Sequence, residues 1–289
     1  MEIYTPQPVT NHVAQLGEGP FWHDGMLHYV DIDNKKLRRI EGDESVLIHE
    51  FPTPIGVAAP ARNGGFICGL ENGIHHLSED GELSLIVDPE AGSDANRFND
   101  GKCDPVGRFV AGTISYARDP VGASLYSLSA SGDHCEKILG EVCNSNGLAW
   151  TRDGHTLYYI NTPSRQIWKF DYDLNTGHLS NKQVVIEIPP EDGKPDGMCI
   201  DQDDNLWIGH WAGWQIAHYD PRTGEKIGKV QMPAANCTSC CFGGKDYDKL
   251  YITTSINGLS DEDRADQPHA GKVFVADVKA KGFPTKAWG

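Results

Sequence analysis

The amino-acid sequence predicts an all-β fold, namely a six-bladed β-propeller whose ring is closed by an N-terminal strand joining the last blade. Two observations favour this fold: one strand–break–strand pattern recurs six times, and a similar short apolar segment precedes each occurrence. In addition, no helical hydrophobic period persists for long enough to compete. We therefore expect residues 1–289 to form one propeller domain.

The recurring pattern is a short apolar strand, a polar break and a second apolar strand. It begins at Leu27, Phe66, Phe109, Leu157, Leu206 and Leu250. These starts are separated by 39, 43, 48, 49 and 44 residues, and such a period is typical of a four-stranded propeller blade.

The segment just before each start predicts the innermost strand of that blade. Turn sequences such as Asn63–Gly65 and Asp153–Gly154 fit hairpins into the second strands. An open ring would leave a sheet edge exposed, so the stretch EIYTPQPVTNHVAQL near the N-terminus is expected to supply a strand to the last blade. The two longest irregular insertions, SYARDPVGA and NGLSDEDRADQPHAGK, are expected to be loops at one rim.

The net charge of the chain limits the classes of partner that it is expected to bind. Lys and Arg total 25 against 41 Asp and Glu, which gives a net charge of −16. Nucleic acids and anionic membrane surfaces are therefore unfavourable partners, whereas divalent cations and small molecules are compatible. No apolar stretch is long enough for a membrane helix, and no signal peptide is visible, so a cytoplasmic location is expected.

The cysteines favour reduced, buried thiols, as expected in that compartment. There are eight in the chain, and Cys237 and Cys240 form a single C-x-x-C without a second pair at zinc-finger spacing.

An acid or amide stands directly before a glycine in four of the six innermost strands. These residues are Glu18, Asp100, Asn146 and Asp196, which lie 9, 9, 11 and 10 residues before the next strand start. Because innermost strands crowd around the propeller axis, equivalent positions should converge at one end of the channel. Oxygen ligands select cations such as Ca²⁺, Mg²⁺ or Mn²⁺. The alternative interpretation is four ordinary turns, since Asp–Gly also occurs at Asp24, Asp80 and Asp153.

Other chemistries have little support. The 12 histidines share no repeat position, and the G-x-S-x-G, Walker A and strand-to-helix G-x-G-x-x-G motifs are absent. A histidine zinc site, a serine triad and nucleotide-dependent chemistry are therefore disfavoured.

Five blocks of sequence resemble the gluconolactonase/regucalcin/luciferin-regenerating-enzyme family, also called senescence marker proteins, and its regucalcin-type branch in particular. The blocks are LGEGPFW, RFNDGKCDPVGRFVAGT, SNGLAW, PDGMCID and TSCCFGG, in the family's order and spacing. The resemblance implies a six-bladed propeller with one divalent cation, which could be Ca, Zn, Mn, Mg or Fe, in its channel.

Residue by residue, the resemblance implies that Glu18, Asn146 and Asp196 hold the cation and that Asp196 is also the catalytic base. It implies that Arg97 and Asn99 bind substrate hydroxyls and the lactone. Asp100 joins this substrate-binding set and is expected to hold a water molecule or to lie just outside the cation's ligands. One departure concerns the loop after Thr113, where the family branch carries acidic residues and this chain reads ISYARDPVG.

The function expected from the resemblance is metal-dependent hydrolysis of a sugar aldonolactone by a monomer or weak homo-oligomer. A bound cation would polarise the lactone carbonyl, and Asp196 would activate water. The alternatives are a divalent-cation-binding regulator with residual lactonase activity, a phosphotriesterase-type hydrolase on the same fold, and an interaction scaffold.

Overall fold

Strands account for nearly all the regular structure of the computed structural model, which describes residues 1–289. The N-terminal strands are β1 (Glu2–Tyr4) and β2 (Gln7–Pro8). The first blade contains β3 (Gly17–His23), β4 (Met26–Asp31), β5 (Lys36–Glu41) and β6 (Glu44–Glu50). The second contains β7 (Ile55–Pro60), β8 (Phe66–Leu70), β9 (Gly73–Leu77) and β10 (Leu83–Val87).

The next two blades repeat this antiparallel order. The third blade contains β11 (Asn96–Cys103), β12 (Phe109–Ser115), β13 (Ala123–Leu128) and β14 (Cys135–Val142). The fourth contains β15 (Ser145–Trp150), β16 (Thr156–Asn161), β17 (Gln166–Tyr172) and β18 (Leu179–Glu187). Together with the two blades described next, they form the predicted six-bladed propeller, and each predicted repeat start lies in a second strand.

The last two blades receive the N-terminal strands. The fifth blade contains β19 (Lys194–Ile200), β20 (Leu206–Trp211), β21 (Gln215–Asp220) and β22 (Glu225–Gln231), and β1 adds to it in parallel beside β22. The sixth contains β23 (Cys237–Gly243), β24 (Lys249–Thr254) and β25 (Phe274–Asp277), and β2 pairs antiparallel with β25. The predicted closure is thus confirmed, whereas the parallel addition of β1 was not predicted.

Helices are few and short. They are the α-helix α1 (Asp261–Asp266) and the 3₁₀ turns Thr162–Ser164 and Pro190–Asp192. None of these could cross a membrane, being too short and insufficiently apolar. Helix α1 lies in the insertion between β24 and β25, and the other long insertion joins β12 to β13. Both start where a second strand pairs with the beginning of its innermost strand, so both lie at one rim, as predicted. The second insertion was predicted to be a loop, whereas it contains helix α1.

Apolar side chains fill the spaces between neighbouring blades. One cluster, for example, joins Val57 and Ile67 of the second blade to Phe98 and Phe109 of the third. The eight cysteines are free thiols, of which only Cys135 is not fully buried.

The innermost strand of every blade is irregular close to its beginning. In all six, the register against the second strand shifts at the same place, between residue pairs Glu18/Phe21, Ile55/Val57, Phe98/Asp100, Asn146/Leu148, Pro195/Met198 and Cys237/Ser239. A β-bulge bends its strand and changes the direction of nearby side chains. Six bulges at one level therefore shape one end of the central channel.

Candidate active site in the central channel

Three of the four repeated polar residues share one local arrangement. Glu18, Asp100, Asn146 and Asp196 are all at least nine-tenths buried. In Glu18, Asp100 and Asn146, a side-chain oxygen accepts a hydrogen bond from the N–H of the following glycine, at 2.7 Å, 2.7 Å and 3.3 Å respectively. This repeated contact requires the side chain to fold back over its own bulge, so the residues are not ordinary hairpin turns.

Asn146 and Asp196 are brought together directly, although 50 residues separate them. The Asn146 Nδ2 donates to Asp196 Oδ1 at 2.5 Å and to Thr162 Oγ1 at 3.0 Å. These contacts direct the Asn146 Oδ1 away from Asp196, and the N–H of Gly147 is the one donor that it meets in the structure.

The electrostatics of this cluster are unfavourable for charged carboxylates. Burial, followed by repulsion from Asp196 and Asp100, raises the pKa of Glu18 well above its usual range. Burial is also the largest cause that raises the pKa of Asp196, to about 8, and Asp100 contributes further repulsion. Burial raises the pKa of Asp100 too, although the nearby Lys102 opposes it. The three carboxyl groups therefore share one low-dielectric volume.

The donor set fits a hard or borderline divalent cation. No group of three or more His, Cys, Asp or Glu side chains is arranged as a ligand set. The predicted set combines two carboxylates with an amide oxygen instead. Glu18 Oε1 and Asn146 Oδ1 retain lone pairs, and a cation among these oxygens would remove the repulsion that raises both carboxyl pKa values.

Arg97 is a buried cation without a carboxylate partner. The residue is 8% exposed, and its Nη1 donates to Asn99 Oδ1 at 2.8 Å and to the Phe98 carbonyl at 2.9 Å. Burial lowers the pKa of Arg97, and Tyr116, Asp33 and Glu18 oppose that shift. Because a buried charge is costly unless it is paired, the remaining N–H groups of Arg97 are suited to an oxygen-rich ligand.

Asn99 is more fully engaged than the sequence predicts. Its Nδ2 donates to Asn144 Oδ1 at 3.0 Å and to the Ser145 carbonyl at 2.8 Å, while its Oδ1 accepts from Arg97. Both amide hydrogens are therefore used within the protein. Asn144 and Ser145 were not predicted as site residues, although they stand immediately before Asn146.

The loop after Thr113, which departs from the acidic residues of the family branch, carries Tyr116. Tyr116 is 49% exposed and donates to Glu71 Oε1 at 2.6 Å, so a tyrosine–carboxylate pair stands near Arg97. Thr113 itself donates to Glu90 Oε1 at 3.0 Å, and this carboxylate also accepts from Tyr126.

The protein is a six-bladed propeller that gathers buried carboxyl and amide side chains and an unpaired guanidinium at one end of its channel. Residues 16–256 match the family model described as "SMP-30/Gluconolactonase/LRE-like region". The chain belongs to this family.

Individual relatives agree with that assignment. The Bacillus subtilis protein named "Putative sugar lactone lactonase YvrE" is 37% identical over 275 residues, covering 93% of this chain and 94% of the relative. Regucalcin of Danio rerio is 39% identical over 279 residues and covers 93% of both chains. The solved structure of a luciferin-regenerating enzyme superposes with a TM-score of 0.91 at 28% identity, covering 98% of this chain and 99% of the other. Family membership supports a lactonase-type function.

Proposed function

We propose that this protein hydrolyses sugar aldonolactones with the help of one divalent cation held by Glu18, Asn146 and Asp196. The observation that carries the proposal is the buried oxygen cluster beside the unpaired Arg97, in a chain whose family includes gluconolactonases. When bound, the cation would polarise a lactone carbonyl and make water more acidic.

Asp196 is assigned as the general base. Its Oδ1 accepts a hydrogen bond from the Asn146 amide, and Oδ2 is assigned to accept the proton of the attacking water. Asn146 holds this carboxylate in one orientation, and Thr162 in turn holds Asn146. A positioned base contributes roughly 10²–10⁴-fold to such a reaction.

Arg97 is assigned to bind the lactone through the guanidinium N–H groups that the protein leaves free. Asn99 is assigned to hold Arg97 in place, because its own donors are already used. Asp100 is assigned to hold a water molecule next to the cluster. A sugar lactone suits these residues because it presents several hydroxyl oxygens and a carbonyl that can accept a hydrogen bond from Arg97.

The test is hydrolysis of glucono-1,5-lactone by the wild type and by Asp196→Asn, each assayed with Ca²⁺, Mg²⁺, Mn²⁺ or Zn²⁺. The variant keeps an oxygen that can accept from Asn146, so we expect unchanged folding and a loss of about 10²–10⁴-fold in kcat. Glu44→Gln, which alters an exposed carboxylate on β6, should keep full activity.

Two outcomes would contradict the proposal. Full hydrolysis by Asp196→Asn would exclude Asp196 as the general base. Activity that survives exhaustive chelation would exclude a required divalent cation. Tight cation binding with negligible turnover on a panel of aldonolactones would instead favour the regulatory alternative, and the regucalcin relatives make that outcome worth measuring.

A further inference from the structure

The far half of the central channel contains a cavity that shares only Asp100 with the residues of the proposed lactonase site. Its volume is about 230 Å³, and it extends from Asp100 and Gly101 towards the face opposite Glu18 and Asp196. Apolar side chains from the later parts of the innermost strands line it, among them Phe21, Leu148, Trp150, Ile200 and Phe242. None of Glu18, Arg97, Asn99, Asn146 or Asp196 contributes to the lining.

The C-terminal residues cross the outer mouth of this cavity as a strap, which we define as residues 281–289. At one end the N–H of Gly282 donates to the Tyr247 carbonyl, in the sixth blade. At the other end the N–H of Trp288 donates to the Pro60 carbonyl of the second blade, and its indole donates to the Ser129 carbonyl. Between these anchors, Phe283–Lys286 lines the cavity and covers it from outside.

The charged residues that line the cavity are mainly cationic, in contrast to the net charge of the whole protein. Lys102, Arg152 and Lys286 line it, and Asp100 at its inner end is the only carboxylate in the lining. Arg152 and Lys286 are exposed at the mouth and take part in no ion pair. In a chain with a net charge of −16, two unpaired cations beside an apolar cavity create a local site for an anion.

A third polar group, on Trp150 in the lining, also lacks a partner. Trp150 is 8% exposed, and its indole Nε1–H is buried without a hydrogen bond. The indole N–H is a donor only, so it requires an acceptor. Leaving a buried donor unpaired is unfavourable, and an acceptor on a bound ligand would remove that penalty.

We propose that this cavity binds a small amphipathic carboxylate, with its apolar body inside the channel and its carboxylate at Arg152 and Lys286. The apolar lining accounts for the body, the two free cations account for the anion, and the Trp150 N–H provides a further donor. An apolar cavity of roughly 150 Å³ accommodates benzene, so this one has room for a ring and a short chain. The proposed lactonase site lies on the other side of Asp100, and the two proposals are independent.

The experiment is isothermal titration calorimetry of the full chain with 3-phenylpropionate, compared with the neutral 3-phenylpropanamide. We expect the carboxylate to bind and the amide to bind at least about tenfold more weakly, since a charge-assisted hydrogen bond is worth more than a neutral one. The double variant Arg152→Gln/Lys286→Gln should weaken binding of the carboxylate by a similar factor. Lys137→Gln, which removes an exposed cation on β14, should leave it unchanged.

Two further variants locate the ligand. Trp150→Phe retains the ring and removes the N–H, so binding should weaken about threefold to tenfold. Asp196→Asn should bind 3-phenylpropionate as the wild type does. The proposal is wrong if the wild type does not bind the carboxylate, if amide and carboxylate bind equally, or if the Arg152/Lys286 variant binds normally. Loss of binding in Asp196→Asn would place the probe at the lactonase site and also overturn it.

Discussion

At the scale of single residues, the buried ionisable groups of the site destabilise the folded protein when they are charged. Glu18, Asp100 and Asp196 lie together in a volume that water scarcely reaches, and Arg97 is buried without a carboxylate partner. Isolated charges in such an environment are destabilising unless a counter-ion or ligand compensates them. The cation-free protein therefore depends on protonation of its carboxyl groups.

The pH dependence of stability follows from this arrangement. Because the pKa of Asp196 rises to about 8 in the folded chain, the folded state holds the proton more tightly than the unfolded chain does. This contribution to stability is complete below the usual pKa of Asp, about 4, and is lost as the pH rises through about 8. In a chelator, we expect the melting temperature to fall over this range, and a divalent cation should restore it.

Glu18→Gln tests the same repulsion. Removing one of the facing carboxyl groups should reduce the pH-dependent fall in melting temperature of the chelated protein, and should weaken stabilisation by added cation. The measurement is differential scanning calorimetry at several pH values with and without Ca²⁺. Glu44→Gln serves as the exposed control. A pH dependence equal to that of the wild type would show that Glu18 does not contribute to it.

At the scale of the strand, the six bulges determine which side chains face the channel. Their glycines allow neighbouring innermost strands to approach closely. A Cβ atom on Gly56 would lie 2.1 Å from the Phe98 carbonyl oxygen, and one on Gly197 would lie 2.2 Å from Ser239 Oγ. Gly147, whose Cβ would lie 2.9 Å from the Asp196 carbonyl oxygen, and Gly197 thus permit the crowding that brings Asn146 and Asp196 together.

Gly197→Ala should destabilise the fold by about 1–3 kcal/mol, as overpacking in a rigid interior does. Because Ser239 Oγ and Cβ are the nearest atoms, Gly197→Ala/Ser239→Gly should recover part of the loss. Chemical denaturation of both variants measures this coupling. Gly140→Ala is the control, since its Cβ would approach nothing closer than 3.9 Å. Equal stability of Gly197→Ala and the wild type would show that the strands can move apart.

The hairpins on the face opposite the site are stabilised by buried aspartates. Asp201 Oδ1 accepts from the N–H groups of Asp203 and Asn205, and Oδ2 lies 3.0 Å from both Trp207 Nε1 and His218 Nε2. Asp104 accepts from two backbone N–H groups in the corresponding turn of the third blade. In Asp201, burial alone would raise the pKa, but the hydrogen bonds from His218, Asn205 and Trp207 outweigh it and lower the pKa.

Asp201→Asn should therefore cost about 1–3 kcal/mol at neutral pH, because the amide cannot satisfy all four donors. A lowered pKa stabilises the fold above the usual pKa of Asp and is lost as the pH falls through the folded value. The difference between Asp201→Asn and the wild type should consequently shrink in acid. Urea unfolding at neutral and acidic pH measures it, with exposed Asp43→Asn as the control. A difference independent of pH would contradict this account.

Closure of the ring is a property of the whole molecule. The N-terminal strand β2 pairs with β25 in the sixth blade, and β1 lies beside β22 in the fifth. Residues separated by most of the chain therefore join the two ends of the ring. Strand β2 is short and exposed, so its contribution comes mainly from covering an edge rather than from burial.

Deletion of residues 1–8 should lower the melting temperature and promote concentration-dependent association, since it leaves β25 and β22 as open edges. Calorimetry and light scattering at several protein concentrations check this prediction. Glu2→Gln with Lys279→Gln is the matched control, because it removes the exposed ion pair between these segments without removing a strand. A deleted chain as stable and monodisperse as the wild type would contradict it.

Several features could be predicted from the sequence because they repeat along the chain or depend only on residue type. The period of the strand pattern predicted the number of blades, and the exposed edge of an open ring required a closing strand. The recurrence of an acid or amide before glycine identified Glu18, Asp100, Asn146 and Asp196, which the structure gathers at one end of the channel. The extent of the domain, the cytoplasmic location and the oligomeric state stay predictions.

The contacts that those side chains make could be learned only from the folded chain. The Asn99 amide donates to Asn144 and Ser145, and Arg97 lacks a carboxylate partner. The C-terminal strap covers a cavity lined by cations on the other side of Asp100. The physical reason is that hydrogen bonds and charges act over a few ångströms between residues far apart in the chain. Hydrophobic period and residue type are local properties that one sequence records, whereas the partner of a buried polar atom depends on which strands the closed ring brings together.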